Sequence, residues 1–261
     1  MSAPNPYAAP KAAVADQAIA APTRFTPGGR HCPAANGWTW IVEGWRFFMK
    51  SPGIWIAITV VMLVISLVSN FIPLVGPLAL MVLTPVFAGG VMLGCRALDE
   101  GRALEFAHLF AGFRTQLGNL LAVGAAYLAL MFAVVLIVGV ISGASMFAMF
   151  GGHAAQSPEV AGGALATMAL GLLVGLALTV PIAMLLWFAP ALVALNQVAP
   201  LDALKQSWSG CLKNIVPFLV YGVVLFILSI VASLPVMLGW LVLGPVLAAS
   251  IYASYRDIYL G

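Results

Sequence analysis

The stretch "ALDEGRALEFAHLF", residues 97–110, gathers the residue types best suited to proton or metal chemistry, with His108 close to Asp99, Glu100 and Glu105. An imidazole among carboxylates can relay protons or hold a metal. Arg96 and Arg102 stand among the same acids, so mutual ion pairing is the reading those charges support. His31–Cys32 is an adjacent pair of ligand types without a second pair at metal-binding spacing, and His153 stands apart from both. Cys32, Cys95 and Cys211 show neither disulfide nor zinc spacing and read as small apolar fillers. The chain contains no phosphate-binding glycine loop, no Gly-x-Ser-x-Gly elbow and no His-Glu-x-x-His pair. The expectation is a non-enzyme: no catalytic residue, no metal ligand and no cofactor.

Composition explains why chemistry is scarce. Of 261 residues, 63% are hydrophobic and 7% charged, against about 25% charged in ordinary soluble domains. Several apolar runs reach the length of about twenty residues that spans a bilayer. They predict an all-α membrane bundle of six spans at about 53–73, 75–95, 119–142, 165–190, 215–235 and 237–256. Pro and Gly at 70–77 and 233–240 divide apolar stretches twice the length one helix needs, so the spans are expected as three hairpins. No span carries Asp, Glu, Lys, Arg or His away from its ends. That argues against an ion relay. Asn70, Thr84, Tyr127, Ser142, Thr167, Thr179, Tyr221, Ser229, Ser233 and Ser250 remain, and such groups ordinarily bond their own helix or a neighbour.

All 11 basic residues fall before the first span, between the second and third, between the fourth and fifth, or after the sixth. The positive-inside rule then places both termini in the cytoplasm. Residues 1–36 are Ala/Pro-rich, lack the apolar core of a secretory signal, and read as a disordered cytoplasmic tail. Three basic residues there (Lys11, Arg24 and Arg30) do not make a nucleic-acid site.

Residues 37–55, "GWTWIVEGWRFFMKSPGIW", hold four of the seven tryptophans. Trp38, Ile41, Trp45 and Phe48 recur at helical spacing, while Glu43, Arg46 and Lys50 occupy the other face. This pattern predicts a helix lying in the headgroup plane. The stretch has echoes. Trp45 precedes Lys50 by five residues, as Trp208 precedes Lys213. "LTPVFAGG" (83–90) resembles "LGPVLAAS" (243–250), and Pro85/Arg96 matches Pro245/Arg256. A third copy aligns "GFRTQLGNLL" (112–121) with "SWSGCLKNIV" (207–216), giving Phe113 the tryptophan place. The implied unit is one amphipathic interfacial helix followed by a hairpin, used three times with a common orientation. Trp38, Trp45, Lys50, Phe113, Trp208 and Lys213 are the expected interface anchors. Gly90/Gly94, Gly139/Gly143 and Gly171/Gly175 are expected to let helices approach closely. Pro181 and Pro190 predict a kink.

The Ala/Pro-rich lead, "GWRFFMKSPGIW" (44–55), "GRALEFAHLFAGF" (101–113) and "FAPALVAL…DALKQSW" (188–208) resemble a proteobacterial family of uncharacterised integral inner-membrane proteins, over about residues 38–261. More distantly, the layout is similar to the membrane domain of some glycerophosphodiester phosphodiesterases, without any phosphodiesterase domain. The resemblance implies an inner-membrane location. Two roles fit: a bundle that organises anionic lipid, protein partners or further copies of itself through a cytoplasmic collar, or a passage for a small neutral or amphiphilic solute.

Overall fold

A computed structural model describes residues 25–150 and 158–261. Lys11, Arg24, Gly152 and His153 lie outside the described residues. All regular structure among the described residues is helical. The elements are α1 (Asn36–Lys50), α2 (Pro52–Ser69), α3 (Val75–Asp99), a 3-10 turn (Phe106–Phe110), α4 (Gly112–Thr115), α5 (Leu117–Phe150), α6 (Pro158–Leu186), α7 (Ala189–Asn196), α8 (Pro200–Lys213), α9 (Ile215–Ser233) and α10 (Trp240–Tyr259). Five stretches are long and apolar enough to cross a membrane: Pro52–Ser69, Val75–Asp99, Leu117–Phe147, Ala161–Asn196 and Ile215–Ser233. The chain is an integral membrane protein. The 20-residue α10 falls short of that apolar measure because its last turns carry Arg256 and Asp257.

The lead was expected to be disordered to residue 36, yet residues 25–35 are docked. Thr26 and Arg30 donate backbone N–H groups to the carbonyls of Tyr259 and Ile258 at 2.8 and 2.9 Å. Cys32 is 1% exposed. Composition concealed this because the strap is held by a few hydrogen bonds and by two isolated apolar residues, Phe25 and Cys32, rather than by a periodic apolar face.

The first amphipathic helix forms, but its buried face differs from the predicted stripe. Gly37, Trp40, Ile41, Gly44, Phe47 and Phe48 are buried, whereas Trp38 and Trp45 are about half exposed. Trp40 and Phe47 pack into a core with Tyr221 and Tyr252. The second predicted helix is broken. Glu105 is extended and forms a capping box with His108, so a 3-10 turn and the four-residue α4 replace a continuous helix. The third forms as α8, with Pro200 in its first turn.

Each short segment packs mainly on the second helix of the pair preceding it: α1 on α10, the 3-10 turn and α4 on α3, and α8 on α6 and α7. The series therefore closes in a ring. Equivalent residues make equivalent approaches. A Cβ on Gly112 would stand 2.1 Å from the Val86 carbonyl oxygen, and one on Gly44 would stand 2.5 Å from the Val246 carbonyl oxygen. Each carbonyl follows the matched proline, Pro85 or Pro245. In the third copy Ser207 takes the glycine place and donates to the Met184 carbonyl of α6 at 2.7 Å.

That serine also explains the break between α6 and α7. Phe188 N–H would ordinarily bond the Met184 carbonyl four residues back. It instead donates to Ser207 Oγ at 3.0 Å. With Pro190 removing a further donor from the first turn of α7, the chain bends at Trp187–Phe188. Pro181 lies within α6, which continues past it to Leu186.

Candidate functional site

The ends of α3, α7 and α10 meet where the ion pairs concentrate. Asp99 receives Arg256 and, at 3.1 Å, the Tyr252 hydroxyl. Arg256 also stands 3.8 Å from Glu43 of α1, which pairs with Arg46 at 2.5 Å. Tyr255 donates to Asn196, and Arg96 donates to the Leu195 carbonyl at 3.4 Å. The acids near His108 are thus divided. Glu100 pairs with Arg102 and Arg96, Asp99 turns to Arg256, and Glu105 caps the 3-10 turn. The hydrogen bond from Arg102 and the two neighbouring positive charges hold the Glu100 carboxyl below its usual range. No group of three His, Cys, Asp or Glu among the described residues could hold a metal.

Asp257 is the centre of a second set. Arg30 donates to its Oδ1 at 2.6 Å, Asn36 to its Oδ2 at 2.7 Å, and Trp40 Nε1 to the same oxygen at 2.8 Å. Burial would raise the Asp257 pKa, but these donors and the Arg30 charge together hold it below the ordinary value. Beside it Asn214 accepts from Cys32 N–H and donates to the Arg30 carbonyl, both at 2.8 Å. Burial, followed by the charge of Asp257, pushes the Cys32 thiol up to about 11. Burial likewise raises Cys211, to about 12. Protonated, buried thiols are poor nucleophiles. These sets tie the strap and α1 to α10; their groups are already paired with one another.

The expected anchors are distributed differently from the sequence reading. Lys50 donates to the Leu98 carbonyl at 3.1 Å and Lys213 to the Gly29 carbonyl at 2.8 Å. Both ammonium groups are therefore bonded to backbone carbonyls, Lys50 at the end of α3 and Lys213 on the strap. Arg114 is exposed and makes no ion pair among the described residues. Trp208 is partly buried, and Phe113 stacks edge-on against Phe87 at 5.2 Å. Gly90 and Gly94 do permit close approach, though to His108, Leu109 and Leu104 rather than to another long helix. Gly171 and Gly175 lie against Ser142 and Val138 of α5. A Cβ on Gly139 or Gly143 would meet nothing within 4 Å among the described residues, so these two do not pack the bundle. Their spacing matches the pattern, but the α5–α6 contact uses an adjacent face.

Apolar clefts lie among the long helices. One of about 530 Å³ is lined by α3, α5, α6, the start of α7 and Ile251 of α10. Another, of about 370 Å³, lies between α6 and α9. A third, of about 560 Å³, runs between α1 and the α9–α10 pair, with Trp38 and Trp45 on its wall. None is lined by a charged residue.

Residues 40–255 match the model of a domain of unknown function, DUF7847. The chain belongs to that family. The match takes in every element from within α1 to within α10, and so the whole ring. A Burkholderia thailandensis protein named "Probable inner membrane protein" is 29% identical over 224 residues, covering 84% of this chain and 82% of that protein. No solved structure matches the chain.

Proposed function

We propose that the chain is a non-enzymatic, six-span protein of the bacterial inner membrane, built of three hairpins, with both termini in the cytoplasm. Its role is to organise anionic lipid, and any protein that binds with it, around a collar of short helices. One observation carries this reading. The described arginines and lysines lie in or beside the short segments, and those segments close a ring over the ends of α3, α7 and α10. Attraction of a basic residue to an anionic headgroup contributes about 1 kcal/mol near the surface. Arg46, Arg102, Arg114 and Lys205 are among the exposed members able to offer it. The inner-membrane assignment is supported by the name of the Burkholderia protein. A layout shared with the membrane domain of some glycerophosphodiester phosphodiesterases would suit a module that leaves chemistry to others. The clefts are apolar, which favours this role over passage of a polar solute.

The test is purification in a mild detergent followed by identification of bound lipids and proteins. Anionic phospholipid enriched over its share of the source membrane is the expected outcome, reduced when Arg102, Arg114 and Lys205 are replaced by Ala. A lipid shell matching the bulk membrane, unchanged by the triple substitution, would sink the proposal.

A further inference from the structure

We propose that the chain holds the bilayer thin beside α9 and α10, where it gathers short-chain phospholipid, while α5 and α6 stand in bilayer of full thickness. The inference rests on the reading of the short segments as a collar at the cytoplasmic interface. It adds the shape of the lipid surface that the molecule fits.

The level of the collar on each long helix is set by contacts that leave no room for a side chain. A Cβ on Gly44 would stand 2.5 Å from the Val246 carbonyl oxygen and 2.9 Å from Ser250 Cβ. One on Gly37 would stand 2.2 Å from the Pro217 carbonyl oxygen and 2.9 Å from the Tyr221 backbone nitrogen. The outer turn follows soon after both crossings. Ser250 is ten positions from Trp240, where α10 begins, which is about 15 Å along the axis. Tyr221 is twelve positions from Ser233, where α9 ends, or about 18 Å. A hydrocarbon core is about 30 Å thick.

The third pair is long where this one is short. A Cβ on Gly89 would touch Leu120 of α5 at 3.0 Å, and the neighbouring Gly90 lies against the His108 carbonyl of the 3-10 turn. From that level the apolar stretch of α5 runs on to Phe147, about 40 Å away. Met184, which accepts from Ser207 of α8, lies about 35 Å from the start of its stretch at Ala161. Tilt cannot reconcile the two pairs. It shortens the vertical reach of a long helix, so α5 and α6 fit by leaning, but it never lengthens a short one.

A short apolar stretch is met by thinning of the bilayer, by snorkelling of flanking charges or by association of copies. No charged residue stands between Lys213 and Arg256, so the outer end has none to snorkel. Its turn exposes Leu234, Val236, Met237 and Leu238, and Trp240 spends its indole N–H on Ser233 at 3.1 Å. The cleft of about 560 Å³ beneath α1 decides between lipid and a second copy. Trp38 and Trp45 on its wall are about half exposed, and neither indole N–H has a partner among the described residues. The apolar α9–α10 face of another copy would leave those donors unmet. Phospholipid ester carbonyls accept from them and lie at the depth tryptophan favours. Esters at that level bring the cytoplasmic edge of the hydrocarbon to within about 20 Å of the outer turn.

The experiment reconstitutes the full chain, its three native cysteines replaced by Ala, in an equimolar mixture of dimyristoleoyl and dierucoyl phosphatidylcholine. A benzophenone maleimide is attached at Val231→Cys, in the cleft, or at Val140→Cys, on the exposed side of α5. After photolysis the attached lipid is identified by mass spectrometry. The short-chain lipid should exceed the long-chain one about threefold or more at 231, with no such excess at 140. Equal ratios at the two positions, or attachment at 231 to a second copy of the chain, overturns the proposal. Should the Ala background not fold, the labels go into the native chain, whose three thiols are buried. Both lipids carry the same zwitterionic headgroup, so the outcome does not depend on anionic-lipid enrichment. Loss of that enrichment with the short-chain excess kept counts against the collar's role, and the converse counts against thinning.

Discussion

Asp257 joins three segments through one carboxylate, since Arg30, Asn36 and Trp40 all donate to it. Removing it would leave Trp40 Nε1 without its bond in a buried setting and would release Arg30 from α10. Asp257→Ala is therefore expected to loosen the strap and expose Cys32. Maleimide should label Cys32 at least about tenfold faster at neutral pH, because both burial and the neighbouring charge that keep its thiol protonated are lost. The comparison belongs in a background with Cys95 and Cys211 replaced by Ala. Equal labelling rates would show that the strap stands without Asp257. The pH dependence has a definite sign. The folded Asp257 value lies below the ordinary one, so its stabilisation is complete above the ordinary Asp range and fades as pH falls through the lowered value. The wild-type melting midpoint should fall on acidification below about pH 4 by more than that of Asp257→Asn. None of these partners was legible in the sequence. Asp257 and Arg30 are 227 residues apart, and neither belongs to a pattern with a fixed spacing.

At the scale of the element, helices and their approximate ends could be read from apolar runs, and α1 and α8 from their periodicity. The contacts between them were hidden where they depend on a missing side chain. Gly44 and Gly112 look like any helical glycine until their positions opposite the Val246 and Val86 carbonyls are known. Gly139 and Gly143 carried the stronger pattern and face open space. Gly112→Ala must shift backbone and is expected to cost about 1–3 kcal/mol, as overpacking does. Gly139→Ala should be neutral or stabilise by up to about 1 kcal/mol through helix propensity. Thermal unfolding in detergent checks both, and equal effects would mean that the close approach is not real. Ser207→Ala should lower the same midpoint by about 1–3 kcal/mol, because it strips Phe188 N–H and the Met184 carbonyl of their shared partner. In the sequence, Ser207 differs from Ser209 only in being the residue aligned with Gly112. Only its placement opposite the bend gives it this role.

At the scale of the whole molecule, matched Trp, Pro and Arg positions were legible because they stand out in an otherwise permissive apolar sequence. The order of the ring was not, since a unit of one short helix followed by a hairpin does not say which hairpin that helix packs against. It lies on the second helix of the pair before it, which makes α1 dependent on the last helix of the chain. Two measurements bear on this arrangement. Reporter fusions at Gly76 and Met237 should read the outer side, and fusions at Arg102 and Lys205 the cytoplasmic side; an outer signal at either basic position would reverse the topology. The second concerns closure of the ring. Glu43 and Arg256 approach to 3.8 Å across the α1–α10 contact and are both partly accessible. Cysteines at these two positions, in a chain whose three native cysteines are Ala, should be joined by a short bis-maleimide. If one chain closes its own ring, the product is a monomer whose proteolytic fragments link α1 to α10. A dimeric product would mean that α1 is exchanged between copies, since the same surface would then be filled by a neighbour's first helix. Absence of any link under conditions that label both cysteines would show that α1 leaves α10 in the membrane. The chain would then have to cover Trp40, Phe47 and their partners on α10 by another route.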